Sequence, residues 1–522
     1  MNKLNILKTV RFAGILSFMI SVFIFIFVVS YSSFNVTEDV IRETVTEDHH
    51  LAAILPMAGQ VTGKIYNSKR ELISDLTTIM EKADERLSND EKMWSYTQGV
   101  YRMSIMKKSV TGFLPGNEFL FLWQTIIAGC IAALMFILPG YWLRRAGIDN
   151  DGVYHRSVSN RGWIGITLGF MLIAFYVFIY WYPEYIVNWI ILVDPISMAI
   201  SGNPASQWFL YGVLYTLAIL VMGVRMFIRY RHSNYHLVRT GSVMFFQLGF
   251  AFLLPEILVA LNQPYHDFKN LWPLNYDFFY GWQIDQFLQS GSLGMFMLIS
   301  GIGLSLIGVP VLTYFLGKRW YCSWVCGCGG LAETLGDPFR HLSDKTLKAW
   351  KAERWIVHGV LVLVVVMTLA TLINYFSNYQ LLGNATQQLQ QWYGFFIGAA
   401  FAGVIGVGFY PWMGSRVWCR FGCPLAAYLG LVQRFKSRFR ITTNGGQCIS
   451  CGNCSTYCEM GIDVRWYAQR GQNIVRSSCV GCGVCASVCP RGVLRLENGP
   501  EEGRFNEPAA FDLSKDKVKV NF

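Results

Sequence analysis

Eight stretches of this chain are apolar for long enough to cross a bilayer: about 12–31, 119–140, 162–182, 206–228, 242–262, 291–316, 355–376 and 392–412. A run of about 20 apolar residues matches a hydrocarbon core of roughly 30 Å, so the pattern predicts transmembrane helices. The polar segments between them alternate in charge. Residues 142–161 carry Arg144, Arg145, Arg156 and Arg161, and residues 225–239 carry Arg225, Arg229, Arg231 and Arg239. Lys318 and Arg319 follow the sixth run, and Arg434, Lys436, Arg438 and Arg440 follow the eighth. By contrast, 183–205 and 377–391 hold no Lys or Arg, and 263–290 holds only Lys269. Short basic loops stay in the cytoplasm, which places both chain ends there.

The first run follows a short basic start but is too long for the core of a signal peptide, and no small-x-small cleavage site follows it. Residues 1–32 are therefore read as a retained anchor, and 33–115 as an extracytoplasmic segment. Within it, ELISDLTTIMEKADERL has the spacing of an amphipathic helix, and the acidic-flanked pair His49-His50 is read as solvated. Residues 116–435 form the multi-span region, and 499–522 a polar tail.

Composition agrees with a membrane protein and changes one point. The net charge is +11, but charged residues make up only 15% of the chain against 53% hydrophobic. A basic excess so thinly spread suits loops beside lipid headgroups, and a nucleic-acid partner is not expected. One stretch, LVQRFKSRFR at 431–440, is dense enough to anchor on anionic lipid.

There are fourteen cysteines. Cys130, inside the second run, is read as packing. Eight lie in 436–498 and form two combs. The first is Cys448, Cys451, Cys454 and Cys458; the second is Cys479, Cys482, Cys485 and Cys489, closed by Pro490. Both have the C-x2-C-x2-C-x3-C spacing of bacterial two-cluster ferredoxins, in which the fourth cysteine serves the other cluster. The expected ligand sets are therefore Cys448, Cys451, Cys454 and Cys489 for one [4Fe-4S] cluster, and Cys479, Cys482, Cys485 and Cys458 for the other. Gly452 and Gly483 suit the tight loops. The reducing compartment disfavours disulfides and favours metal binding; zinc also favours paired C-x2-C, but two complete combs, one ending in Cys-Pro, favour iron–sulfur. Glu459 stands where the first comb would carry proline, and a local change in backbone or potential is expected there.

The other five cysteines sit at helix ends. Arg319-Trp-Tyr-Cys322-Ser-Trp-Val-Cys326 closes the sixth run, and Arg416-Val-Trp-Cys419-Arg-Phe-Gly-Cys423 closes the eighth. Both read Arg-x-aromatic-Cys-x-aromatic-x-Cys, which marks an internal repeat. The first copy has Gly327 where the second has Pro424, and adds Cys328. A redox or metal-ligating role at the membrane edge is expected for Cys322, Cys326, Cys328, Cys419 and Cys423.

Helices ending in Cys-x3-Cys-Pro, followed by a double-cluster comb and the phrase CSTYCEMGIDV, resemble the NapH/NosR family of bacterial membrane iron–sulfur proteins over about residues 290–498. The resemblance implies a polytopic α-helical protein of the bacterial inner membrane with a cytoplasmic α+β ferredoxin-like domain. It implies two [4Fe-4S] clusters, with electrons passing between the quinol pool and other electron-transfer subunits of a nitrate or nitrous-oxide type reductase system. The flavin-binding Ser/Thr-Gly-Ala-Thr motif of NosR-like members is missing from 33–115, so a covalent flavin is not expected.

Quinol oxidation needs a proton acceptor within the apolar layer, where an ionisable group is costly. Glu256 after Pro255, His358 early in the seventh run and Asp194 in an apolar stretch that could dip into the bilayer are the candidates. Only His358 among the eight histidines lies in a span; His232 and His236 fall in an arginine-rich loop. No haem is expected. Gly394 and Gly398 are read as helix-packing positions. The alternative function is a maturation or regulatory factor for a periplasmic metalloenzyme such as nitrous-oxide reductase.

Overall fold

The computed structural model describes residues 3–87, 97–142, 162–317, 319–435, 438–474 and 476–498. Arg144, Arg145, Arg156, Arg161, Lys318, Lys436 and the tail 499–522 lie outside the described residues. Among those described, eight helices are long and apolar enough to cross a membrane, at Asn5–Val28, Glu118–Phe136, Trp163–Trp181, Gln207–Arg229, Asn234–Ala260, Gly291–Leu316, Leu347–Phe376 and Ala385–Gly408. Each overlaps one run read from the sequence. A further pair, Pro183–Leu192 and Asp194–Ile200, is bent by 65° where the chain reaches Asp194.

The chain divides into two compact units, residues 1–146 with 177–214, and residues 147–176 with 215–522. In the first unit, strands Ser32–Asn35, Ile65–Tyr66 and Val110–Gly112 form an antiparallel sheet with the first of them central. The amphipathic stretch forms helix Lys69–Arg86, which buries Leu72, Leu76, Ile79, Met80 and Ala83 on one face. His50 departs from its expected exposure. It is buried, and its Nδ1 lies 3.0 Å from the Tyr101 hydroxyl, while His49 stays exposed. The pair therefore splits between core and solvent. Asp194 is occupied by Lys107 Nζ at 2.6 Å and the Ala205 N–H at 2.7 Å. Cys130 is exposed on its helix rather than packed.

In the second unit three spans contain widened π-helical turns. Phe246–Leu253 precedes Pro255, and Leu304–Gly308 precedes Pro310. Proline lacks an N–H and its ring crowds the carbonyl four residues back, so the preceding turn relaxes outward. Glu256 lies half-buried just after the first of these turns. His358 hydrogen-bonds back to the Arg354 carbonyl of its own helix through Nδ1 at 2.6 Å. Gly398 does face a close neighbour, but the partner is Tyr276 of the 261–280 connection rather than another helix.

The sequence marks 263–290 only as a connection between spans with Lys269 as its one basic residue. It folds inward. Leu271 joins the core that contains Cys322, Cys326 and Cys423. Trp272 Nε1 donates to Thr368 Oγ1 at 3.1 Å, within the span Leu347–Phe376. Lys269 is largely buried and paired with Asp267 at 3.2 Å, so its charge is satisfied inside the protein.

The last part of the unit is a small α+β domain. Strands Phe439–Thr443 and Leu494–Asn498 pair antiparallel, with Ile441 opposite Leu496. Short helices Asn453–Thr456, Val464–Gln469 and Val484–Ser487 fill the space between them. Gly452 (φ +81°) and Gly483 (φ +78°) adopt the left-handed conformation that the combs require.

Candidate iron–sulfur sites

The two combs fold into two separate thiol groups. Cys448, Cys451, Cys454 and Cys489 line one opening, together with Gly452, Arg465 and Pro490. Cys454 is buried there, and the charges bearing on it come from Cys451, Cys489 and Cys448. Cys485 feels Cys482, Cys479 and Cys458 first and Cys454 of the other group last. The fourth cysteine of each comb thus lies with the first three of the other.

The two groups differ in exposure. Cys451 is exposed and Cys448 and Cys489 are half-buried, whereas Cys479, Cys482 and Cys485 are all buried. Burial pushes the Cys454 and Cys482 thiols up to about 12. Such thiols are poor nucleophiles, but a coordinated metal deprotonates a thiol outright. Among the described residues no three His, Cys, Asp or Glu side chains are gathered as one ion would need. Cys448, Cys451, Cys454 and Cys489 around one opening are the four thiol donors that a cube takes.

Local contacts hold these loops in place. Asp463 caps the helix Val464–Gln469 through the Trp466 N–H at 3.4 Å and accepts from Ser455 Oγ at 2.6 Å. Replacing Asp463 with alanine should cost about 1 kcal/mol, read as a small fall in the unfolding midpoint with the cluster spectra unchanged.

A buried ionic layer lies beneath the second comb. Glu459, in the place of the usual proline, is fully buried. It pairs with Arg340 Nη1 at 2.8 Å and Arg416 Nη2 at 3.0 Å. Burial alone would push its carboxyl up, but Arg340, then Arg416 and Arg239, hold it below the usual carboxylate range. Glu333 pairs with Arg239, Asp337 with Arg229 and with Arg340 at 2.8 Å, and Glu353 with Arg420 at 2.8 Å. Arg229 and Arg239, counted from the sequence as loop charges, are therefore consumed inside the protein. The start of the fifth span takes part as well. Tyr235 donates to the Gly481 carbonyl at 2.7 Å, and His236, read as a loop residue, is buried against Gly483 and Ser487.

The repeated helix ends meet. Cys322, Cys326, Cys419 and Cys423 are all buried, and Cys322 feels the charges of the other three. The repeated arginines are exchanged between copies. Arg416 Nη1 donates to the Cys322 carbonyl at 3.0 Å, and Arg319 Nη1 donates to the Cys419 carbonyl at 2.9 Å. Arg319 also reaches the second comb, with its Nε on the Ser477 carbonyl at 2.9 Å and its N–H on the Cys479 carbonyl at 3.3 Å.

Asp194 belongs to the first unit and is ion-paired, whereas Glu256 and His358 belong to the second.

Residues 299–346 and 393–442 match the family model of a 4Fe-4S binding domain, and residues 447–494 match that of a 4Fe-4S dicluster domain. The chain is a multi-helix, membrane-type iron–sulfur protein. It is homologous to "Putative electron transport protein YccM" of Escherichia coli (strain K12), with 27% identity over 170 residues. That match covers 31% of this chain and 46% of the relative, so under half of that protein's length is represented. No solved structure matches the chain.

Proposed function

We propose that the protein carries electrons between a membrane quinol and a partner in a respiratory reductase system of nitrate or nitrous-oxide type, through [4Fe-4S] clusters held by the two combs. The supporting observation is the graded exposure of the two thiol groups. The Cys479 group is buried against the helix ends, and the Cys448 group opens to solvent. Bound [4Fe-4S] clusters supply one-electron storage without proton transfer.

The protein's own residues set the order of the path. Arg319 ties the membrane-edge cysteines to the Cys479 loop, and Cys454 lies close enough to Cys485 to influence it. A partner would exchange electrons at the open Cys448 side. Placement in a bacterial inner membrane is what the NapH/NosR resemblance implies, and the remaining basic residues Arg434, Arg438 and Arg440 beside the last span support combs on the cytoplasmic side.

The crossed ligand sets give a direct test. Cys489→Ser should abolish the signal of the Cys448 cluster in electron paramagnetic resonance and spare the other, while Cys458→Ser should do the reverse. In membranes, a quinol analogue should reduce both signals at a rate competent for turnover. Clusters that stay oxidised under quinol, or variants that each remove the cluster of their own comb, would refute this reading.

A further inference from the structure

We propose that Cys322, Cys326, Cys419 and Cys423 together hold a third iron–sulfur centre, of the [4Fe-4S] type, shared between the two copies of the repeat. The inference goes beyond the two comb clusters and rests on different residues. A [4Fe-4S] cube takes four cysteine ligands. The segment 393–442 supplies only Cys419 and Cys423, so no complete set exists within that copy. The fold brings the missing pair from the other copy.

Backbone geometry treats the copies as equivalent. The Gly329 N–H points at the Cys326 sulfur, and three residues after Cys423 the Ala426 N–H donates to the Cys423 sulfur at 3.4 Å. The reciprocal arginine–carbonyl bonds fix Cys322 and Cys419 in the same paired way. Hydrogen bonds to cluster sulfurs and their surroundings are among the features that set such a centre's potential.

Charge supplies the second argument. Arg229, Arg239, Arg319, Arg340, Arg416 and Arg420 are each no more than 5% exposed, and only Glu333, Asp337, Glu353 and Glu459 are buried among them. Six cations face four anions. Arg319, 2% exposed, has no carboxylate partner among the described residues and bonds only to carbonyls. A buried charge persists only when paired, and a cube held by four thiolates is anionic. Arg319 lies between two such positions, the edge cysteines and the Cys479 loop.

Cys328 is the spare thiol. It stands two residues after Cys326, where the second copy has Leu425, and it contacts Cys326 rather than replacing it. The proposed centre passes on each electron it accepts, with no bond made and no proton moved.

Iron and acid-labile sulfide in the full-length protein, purified anaerobically, decide the matter. Three cubes require about 12 iron per chain and two combs alone about 8. Cys322→Ser and Cys419→Ser should each lower the count to about 8 while both comb signals persist, and Cys328→Ser should leave about 12. Cys451→Ser should remove iron from the combs only, so a failure of the comb assignment is read separately. A wild-type count near 8 overturns the proposal even if an edge variant fails to fold. So does an equal loss in Cys328→Ser and Cys419→Ser.

Discussion

Replacing Glu459 with alanine should destabilise the full-length protein by about 3–5 kcal/mol, because it leaves two guanidinium groups buried without their shared anion. Arg340 and Arg416 both point at this carboxylate, at 2.8 and 3.0 Å, and neither side chain is more than 1% exposed. The layer already holds six buried arginines against four carboxylates, so the loss widens an existing excess of positive charge. Proline at this position should do no better. Judged by the comb alone, Glu459→Pro restores the usual residue and should be benign, whereas the ion pairs make it as damaging as alanine. Chemical denaturation in detergent, followed through cluster absorbance, separates the two. A proline variant as stable as the parent would show that the ionic layer does not hold the domain. Glu459→Gln should fall between, and by removing a negative charge near Cys482 it should raise the potential of that cluster.

Much of the scaffold could be read from patterns of single residues. Eight apolar runs gave eight long helices, because length in a bilayer is set by a fixed thickness. The crossed grouping of the comb thiols could be anticipated from spacing, because three cysteines two residues apart share one small loop and the fourth, three residues further on, is carried away from it. The misreadings came from residues whose partners are far away in sequence. Glu459 looked like a lapse in a motif because its partners, Arg340 and Arg416, lie more than forty residues upstream. Arg229 and Arg239 looked like topology signals because nothing local marks Asp337 or Glu333 as their counter-ions. His236 looked like a loop residue for the same reason. Lys269, alone in a loop of 28 residues, did carry a hint: Asp267 stands two residues before it. The repeated Arg-x-aromatic-Cys phrase pointed to equivalent structures, but only the fold reveals that each arginine serves the other copy.

Gly329→Ala is the sharper probe of that exchange. A Cβ at Gly329 would overlap the Cys322 carbonyl oxygen and come within 2.9 Å of Arg416 Nη1, the donor to that same oxygen. The clash is with backbone, so it cannot be relieved by turning a side chain. The equivalent position in the second copy already carries alanine, Ala426, which is fully buried without loss of its N–H bond to Cys423. The repeat therefore tolerates a methyl on one side and not on the other. Overpacking of this kind costs about 1–3 kcal/mol, and the displaced Arg416 would also weaken its contact with Glu459. The expected result is a lower unfolding midpoint together with altered spectra from the edge cysteines, while Ala426→Gly leaves those spectra in place. If Gly329→Ala left both stability and spectra unchanged, the two helix ends could not be packed through the Cys322 carbonyl, and the reciprocal arginine arrangement would have to be abandoned.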